Sequence, residues 1–474
     1  MSVQAGNTDF VASPNNPFNA SAPITAFPGI SHDFDVSDDD FETPFFVVTS
    51  WNLAAGLFPM VTLSLMDTYG TCLMYIVRID SVYPMHRLRD SQISYCLFII
   101  FVLPQALAQN FATLVVVRFF AGGFAGTLQN GVEAVVANLF ETRCEQMLGV
   151  TLYILAYVGG VTLGPVQGAF AQLLGWRWIF WLQLIVYGAA LPLVVFGLEE
   201  TRGPIIRTKL EKTASHSRSV SKILELAPEI TETLLRSGRL LVTEFIVFCF
   251  MLWSAFSYGL IFVSTESMTI VYSTVFGFET YQTGLLQVAM FIGELLGAAV
   301  YIAFQRNSVM PSQHINKKAL ESTDGLSRPQ RNNTIEKELY LSVPATIIGL
   351  SGGLFIYAWT GYKEGAAPWI APAIGLALQG FAVVIIITGA TSYLTECYGV
   401  YAASAIGALG VGENVFAAFL PLLSLPMYRN LGFQWASSLL ACVGLILVVP
   451  PLALIWKGPT ARGRSRAIQE LRRQ

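Results

Sequence analysis

Charged residues are scarce in this chain: Asp, Glu, Lys and Arg together make up 12% of its 474 residues, whereas 54% are hydrophobic. The mean hydropathy is +0.55, and the net charge is -3. This composition excludes an ordinary soluble globular protein, and the chain has no basic excess that would favour nucleic acid as a partner. It predicts an all-α integral membrane protein whose surroundings are the lipid bilayer.

Groups that carry enzyme chemistry are sparse as well. The six cysteines are scattered without a C-x-x-C pair, and none of the four histidines lies in a long apolar segment. The sequence contains neither a Ser/His/Asp pattern nor a Walker-type phosphate loop. We therefore expect no metal, no cofactor, no enzymatic activity of the lipid-modifying kind and no ATP-driven transport.

Eleven apolar segments approach the ~20 residues that a helix needs to cross ~30 Å of hydrocarbon. The predicted spans are 45–66, 93–108, 113–139, 147–172, 178–198, 241–263, 281–304, 340–359, 368–394, 398–423 and 433–456.

The distribution of Lys and Arg predicts the orientation of these spans, because basic residues in short loops stay on the cytoplasmic side. With the N-terminus outside, 24 of the 28 basic residues fall in the inner loops and the tail. The outer loops then contain only Arg177, Lys363 and Arg429. Residues 1–44, which are acidic, are predicted to form a non-cytoplasmic segment without a cleavable signal sequence.

Two long polar segments divide the spans into a group of five and a group of six. We predict an N-terminal helix bundle at 45–198, a cytoplasmic central loop at 199–240, a C-terminal bundle at 241–456 with a cytoplasmic loop at 305–339, and a basic cytoplasmic tail at 457–474. Two six-helix bundles joined by a long loop are typical of secondary transporters, which bind substrate between the halves. The first bundle is therefore one helix short.

Small residues and a proline are concentrated in the fourth predicted span, at Gly160, Gly164, Pro165 and Gly168. Such residues would weaken a soluble helix, but in a membrane they let helix backbones approach closely. We interpret the run as a conformational seam in a transporter. The alternative is a tightly packed membrane helix without a moving part.

Several motifs resemble the major facilitator superfamily, in particular its proton-driven drug antiporter branch of fungal type. They are VVRFFAGGFAG (116–126), the glycine-proline run, GWRWIFWLQ (175–183), EETRGP (199–204), LLVTEFIV (240–247), SYLTECYGVYAASA (392–405) and PMYRNLGFQWASSLL (426–440). The resemblance implies a two-bundle fold of twelve helices that exports a small amphipathic compound in exchange for protons. A second class, uptake of a small polar solute by symport, is disfavoured by the antiporter-like seam.

Ionisable residues inside predicted spans are candidates for proton coupling, because a charge in hydrocarbon is costly unless it has a partner or a function. Arg118 matches the intramembrane arginine that the family links to coupling. Acids occur at Glu133, Glu266, Glu294 and Glu413, and of these Glu266 matches a position where the family often has an acid. Glu413 departs from relatives that have an arginine near this position. Packing alone, without a functional role, is the alternative for each residue.

Aromatic residues in the spans are candidates for lining a substrate cavity. We name Tyr157, Tyr187, Trp253 and Tyr258. Aromatic side chains in membrane spans more often face lipid or pack in the bundle, and that alternative stays open. Apolar cavities of this kind accept many compounds, so the sequence indicates a class of substrate and not one compound.

The front of the chain departs from the family pattern. Segment 22–37 resembles the outer loop that follows the first family helix, and 51–70 resembles the second helix, so the first helix is expected to be missing. Asp67 and Gly70 match the loop that latches the closed state, whereas Thr71 and Cys72 stand where the family has arginines.

Residues 78–92 interrupt an otherwise continuous third helix. We hypothesise that this segment is a translated intron and that the missing helix reflects an incorrect start of the coding sequence. The alternative is an inactive or truncated remnant of a transporter. For an active protein we expect a monomer in the plasma membrane, with a vacuolar or other internal membrane as the alternative.

Overall fold

The computed structural model describes residues 20–34, 42–69, 93–139, 143–197, 238–309, 335–362, 367–399, 402–465 and 468–469. Regular structure within these ranges is helical, without a strand. The main helices, numbered in chain order, are α1 Phe27–Phe34 with the preceding 3₁₀ turn Ala22–Ala26, α2 Glu42–Tyr69, α3 Ile93–Ala106, α4 Phe111–Leu139, α5 Arg143–Gln172, α6 Arg177–Gly197, α7 Phe245–Thr274, α8 Thr280–Phe304, α9 Leu339–Pro344 continued by a π-helical stretch Ala345–Ser351 and by Gly352–Thr360, α10 Ile370–Tyr398, α11 Ala402–Leu431, and α12 Phe433–Leu447 followed by Val449–Arg464.

All eleven predicted spans overlap helices α2 to α12, although α7 continues to Thr274, well beyond the predicted end at 263. In the described part of the chain, eight helical segments are long and apolar enough to cross a membrane. Two shorter apolar helices, Phe46–Met60 and Tyr95–Ala106, lie in α2 and α3. The chain is thus an all-α membrane protein, and the number of eleven crossings stays a prediction.

The helix boundaries follow from local chemistry. Asn110 caps α4, because its side-chain oxygen accepts a hydrogen bond from the Thr113 amide at 2.7 Å. Glu279 and Gln282 form a capping box at the start of α8. The turns after α5, α7 and α11 contain Gly175, Gly277 and Gly432, each with a positive φ that other residues rarely adopt.

The two halves of the molecule share one packing plan. In the first half α4 packs against α2 and α3, and α3 also packs against α6; in the second half α10 packs against α8 and α9, and α9 also packs against α12. The 22–26 turn packs on α5 as α7 packs on α11. The described helices therefore form two structurally repeated bundles, α1 to α6 and α7 to α12.

Segment 22–37 was expected to be an outer loop, but its described part belongs to a buried helical element at 20–34. Ala22 and Ile30 are fully buried, and the Ser21 hydroxyl donates to the Val161 carbonyl oxygen of α5 at 2.5 Å. In the repeated plan this segment has the position that α7 has in the second half. This short helical element thus occupies part of the position that the shared packing plan gives to the first helix of a bundle.

Glycines allow the closest helix contacts within each bundle. A Cβ atom on Gly126 of α4 would lie 2.6 Å from the Ala55 Cα of α2, and one on Gly297 of α8 would lie 3.2 Å from the Phe381 carbonyl carbon of α10. Since these neighbours are backbone atoms, a side chain could be accommodated only by separating the helices. Glycine therefore allows close backbone packing at equivalent helix pairs of the two halves, α2 with α4 and α8 with α10.

The two bundles contact each other mainly through α2 with α11 and through α5 with α8. The Thr49 hydroxyl of α2 donates to the Ala418 carbonyl oxygen of α11 at 2.9 Å. In the predicted orientation, the contacts of Thr49 with Ala418 and of Gly284 with Pro165 lie towards the outer side of the membrane.

Candidate functional site

A small cavity lies where the two bundles meet. Its lining combines residues of segment 20–34, α2, α4 and α5 with residues of α7 and α11, namely Ala20, Trp51, Asn52, Ala55, Ala125, Gly126, Gln129, Tyr157, Tyr258 and Asn414. The cavity volume is about 20 Å³, which holds a water molecule but not a drug-sized ligand. The described helices therefore pack tightly around the cavity and leave no room for a substrate in this conformation.

Two of the four aromatic candidates meet across this cavity. The rings of Tyr157 and Tyr258 stack with a centroid distance of 5.3 Å and an interplanar angle of 19°. Tyr153 continues the stack on the N-terminal side, and Phe262 contacts Tyr258 edge-on at 5.7 Å. The N-terminal bundle contributes Tyr157 and the C-terminal bundle Tyr258, so the stack changes whenever the bundles move apart.

The other two aromatic candidates lie inside the bundles and do not line the central cavity. The Trp253 indole donates to the Thr346 hydroxyl oxygen at 3.2 Å, entirely within the C-terminal half. Tyr187 packs against Phe98 at a centroid distance of 5.2 Å, and its carbonyl oxygen accepts a hydrogen bond from the Tyr95 hydroxyl. These positions match the alternative of aromatic packing.

Arg118 is fully buried in the N-terminal bundle. Its Nε donates to the Val47 carbonyl oxygen at 2.7 Å, and its Nη atoms lie 3.4 Å from the Gln105 side-chain oxygen and 3.5 Å from the Ala20 carbonyl oxygen. The guanidinium also lies over the Trp51 ring at 5.1 Å. One arginine therefore links α2, α3, α4 and segment 20–34, and carbonyl dipoles and an aromatic face compensate its burial.

Glu266 and Glu413 join helices of the same bundle. The Ser424 hydroxyl donates to the Glu266 carboxyl at 2.8 Å, and the Ser254 hydroxyl donates to the Glu413 carboxyl at 2.5 Å. Both pairs connect α7 with α11, and both glutamates are nearly inaccessible.

Glu294 differs from these two acids because its partner belongs to the other bundle. The Thr162 hydroxyl of α5 donates to the Glu294 carboxyl of α8, and both residues are fully buried. Sequence reasoning nominated the glutamate but missed Thr162. The signal available in the sequence was a hydroxyl two residues before Gly164, inside the proposed seam.

The glycine-proline run faces two neighbours. A Cβ atom on Gly168 would overlap the Ala22 carbonyl oxygen and lie 2.5 Å from the Thr25 hydroxyl oxygen. Around Pro165, α5 approaches Gly284 of α8, where an added Cβ would lie 3.2 Å from the Pro165 carbonyl oxygen. Despite its proline, α5 is one continuous helix from Arg143 to Gln172.

The remaining sequence candidates contribute less to this site. Asp67 lies near the end of α2, and Gly70 lies outside the described residues, as does segment 78–92. Three polar residues of the cavity wall were missed by sequence reasoning, namely Asn52, Gln129 and Asn414. Amide side chains inside apolar spans were the signal that would have pointed to them.

An ion pair fastens α1 at the predicted outer surface. Arg177 lies 2.7 Å from the Asp33 carboxylate, and the Trp176 indole donates to the same carboxylate at 2.9 Å. The Trp176 hydrogen bond and the Arg177 guanidinium hold the pKa of Asp33 below its usual range. The buried segment 20–34 is therefore fixed at its outer end by charge as well as by packing.

Comparisons with known proteins agree with this architecture. Residues 88–309 match the family model described as Major Facilitator Superfamily. The chain is 29% identical over 461 residues to the efflux pump radE of Floropilus chiversii, covering 95% of this chain and 79% of the relative. It is 30% identical over 432 residues to the efflux pump atB of Aspergillus terreus, covering 89% and 84%. The crystal structure of the human organic anion transporter MFSD10 (TETRAN) is similar in fold, with a TM-score of 0.64, 14% identity and coverage of 93% of this chain and 97% of that one.

Proposed function

The chain belongs to the major facilitator superfamily, and from that premise we propose that it exports a small amphipathic compound through the membrane in exchange for protons. The observation that carries the proposal is the central cavity, which residues from both repeated bundles enclose. A site between two halves that move against each other can open alternately to either side of a membrane. The two related efflux pumps support the direction of transport.

The cavity wall favours an amphipathic substrate. Tyr157 and Tyr258 offer aromatic faces, and the amide groups of Asn52, Gln129 and Asn414 offer a few hydrogen-bonding positions. A planar apolar molecule with one or two polar groups would replace the contact between the two tyrosine rings when the bundles separate. None of the described lining residues is charged, which does not favour a strongly ionic substrate.

Proton coupling is supported by the buried ionisable residues. Glu266, Glu294 and Glu413 each have a hydroxyl partner, and within the described residues none of them forms an ion pair. A carboxyl in such surroundings is stable when protonated and is ready to ionise when water reaches it. Arg118 is a buried basic residue of the N-terminal bundle, where it links α2, α3 and segment 20–34.

The membrane in which the protein lies determines where the exported compound goes. A monomer in the plasma membrane would move its substrate out of the cell, whereas the same protein in the vacuolar membrane would sequester it. Both bundles that enclose the central cavity belong to the same chain, and we propose that a monomer is sufficient for transport.

Dye accumulation in yeast cells that lack their own drug exporters tests the proposal. Cells that produce the protein should retain less rhodamine 6G or Nile red than cells with an empty vector, and a protonophore should abolish the difference. Tyr157→Ala and Tyr258→Ala should each weaken export, whereas Tyr340→Ala, at a half-exposed position of α9, serves as the matched control. Equal retention in producing and empty cells, with the protein present in the membrane, would reject export of these compounds.

A further inference from the structure

The cross-bundle position of Glu294 gives this residue a role that its two buried counterparts do not have. Gly293 and Gly297 lie on either side of Glu294 and allow α8 to pack closely on α10. A Cβ added to Gly293 would lie 2.7 Å from the Ala377 carbonyl carbon. Glu294 therefore moves with the C-terminal bundle, whereas Thr162 moves with the N-terminal bundle. Their hydrogen bond exists only while α5 and α8 are in contact.

The surroundings of the Glu294 carboxyl favour its neutral form while the bundles are closed. The oxygen that does not bind Thr162 has no hydrogen-bond partner among the described residues. It lies against the α5 backbone, 3.4 Å from a Cβ built on Gly159, and the Phe291 ring covers the same glycine. An ionised carboxylate held by one hydroxyl, without a cation, would be strongly disfavoured at this position.

Other titratable groups on α8 and on the helices packed against it lie elsewhere. None of those in the described ranges forms an ion pair or hydrogen bond with Glu294. They are Glu145, Tyr153 and Tyr157 on α5, Cys249, Tyr258, Glu266 and Tyr272 on α7, Tyr281 and Tyr301 on α8, Arg306 just after it, and Tyr393, Glu396, Cys397 and Tyr398 on α10.

We propose that Thr162 and Glu294 form a proton-dependent latch that closes the outer side of the transporter. With Glu294 protonated, the Thr162 hydroxyl binds the neutral carboxyl and α5 stays on α8. When Glu294 loses its proton, the charge is stabilised only in water, so the two helices separate and the cavity opens outwards.

The latch deepens the proposed antiport and rests on it. In the outward-open state Glu294 takes a proton from the outer water, and closure buries the neutral acid. After the cavity opens inwards, the same proton leaves to the cytoplasmic water, and the unlatched protein returns to the outward-open state with its substrate. One proton bound outside and released inside thus accompanies each export step, and Thr162 is the positioning residue that converts protonation into closure.

Hydrogen–deuterium exchange of the purified full chain in lipid nanodiscs tests the latch independently of transport. The segments to follow are 163–178 and 274–290, which contain the outer ends of α5 and α8, with rates corrected for the intrinsic effect of pH. In the wild-type protein these segments should exchange slowly at about pH 5.5 and faster at about pH 8, because ionised Glu294 opens the interface.

Three variants distinguish the latch from simple packing. Glu294→Gln keeps a neutral acceptor and should protect both segments at either pH. Thr162→Val removes the donor at nearly constant volume and should raise exchange at acidic pH about tenfold, which corresponds to ~1.4 kcal/mol. Thr162→Ser should restore the wild-type pH dependence. Thr151→Val on the same helix is the control, because the Thr151 hydroxyl binds the Met147 carbonyl oxygen of its own helix.

The result that overturns the latch is a pH dependence that persists unchanged in Glu294→Gln and Thr162→Val. A wild-type protein whose outer segments exchange independently of pH would overturn it too. If the latch behaves as expected but the cells retain dye like the empty-vector control, the proposed export of those compounds fails and the latch stands. The two proposals therefore fail on different measurements.

Discussion

Replacing Gly168 by alanine probes the contact between α5 and the buried segment 20–34. The new Cβ would overlap the Ala22 carbonyl oxygen and press on the Thr25 hydroxyl, and neither helix can move aside without losing the hydrogen bond from Ser21 to Val161. Overpacking of this kind lowers the free energy of unfolding by ~1 to 3 kcal/mol, and the higher helix propensity of alanine offsets at most ~1 kcal/mol of that loss. We expect a net loss of about 1 to 2 kcal/mol in the free energy of unfolding.

Thermal unfolding of the purified protein in detergent measures this loss, together with limited proteolysis at the N-terminus. The midpoint should fall by a few degrees, roughly 2 to 4 °C per kcal/mol or less in a chain of this size. Gly188→Ala is the matched control, since a Cβ at Gly188 of α6 meets nothing within 4 Å. If Gly168→Ala unfolds at the wild-type temperature and its N-terminal segment is cleaved no faster, segment 20–34 does not pack on α5 as described.

Three further substitutions are expected to have measurable effects. Arg118→Lys keeps the charge but loses the planar fork that reaches three helices, so dye export should fall and the free energy of unfolding should drop by about 2 kcal/mol in a detergent unfolding assay. The pKa of Asp33 is lower in the folded protein than in the unfolded chain, so its pairing with Arg177 stabilises the fold above the ordinary carboxyl pKa. This stabilisation is at most ~1 kcal/mol for such an exposed pair, and it is lost as pH falls through the folded-state pKa. In thermal unfolding, the difference in stability between wild type and Asp33→Asn should therefore disappear below about pH 4. Gly293→Ala should reduce the yield of folded protein on size-exclusion chromatography, because its Cβ meets the Ala377 backbone, and wild-type yield would contradict the α8–α10 contact.

Hydrophobic run length was sufficient to locate helices α2 to α12, because each backbone polar group in a bilayer must find its partner inside a helix. It did not identify segment 20–34 as helical, because this stretch contains Pro23 and Pro28 and has no long apolar run. The segment packs closely on α5 because Gly168 leaves room for the Ala22 carbonyl oxygen, and that contact depends on a neighbour more than 100 residues away in sequence. Local pattern carries no such information.

In the candidate site too, the sequence predicts which residues are important, whereas their contacts depend on tertiary packing. Buried ionisable residues are identifiable from the sequence because charge in an apolar span is costly, and Arg118 and the three glutamates lie in buried positions. Which bundle each of them contacts depends on helix rotation, and sequence spacing does not determine rotation when a span is apolar on every face. For the same reason the four aromatic candidates could not be divided into Tyr157 and Tyr258 at the cavity and Tyr187 and Trp253 in the bundle cores.

The hydrogen bonds of the three buried glutamates respond differently when the two bundles move apart. Glu266 and Glu413 bind serines of their own bundle, so their hydrogen bonds persist when the bundles move as rigid bodies. The bond between Thr162 and Glu294 must break in every such movement. A ligand or proton shifts a conformational equilibrium only through interactions that differ between the two states. Glu413 also interacts electrostatically with Tyr157 of the N-terminal bundle, so its surroundings change when the bundles separate. Of the three acids, Glu294 is the one whose hydrogen-bond partner lies in the other bundle, and we therefore expect its protonation to be linked most directly to closure.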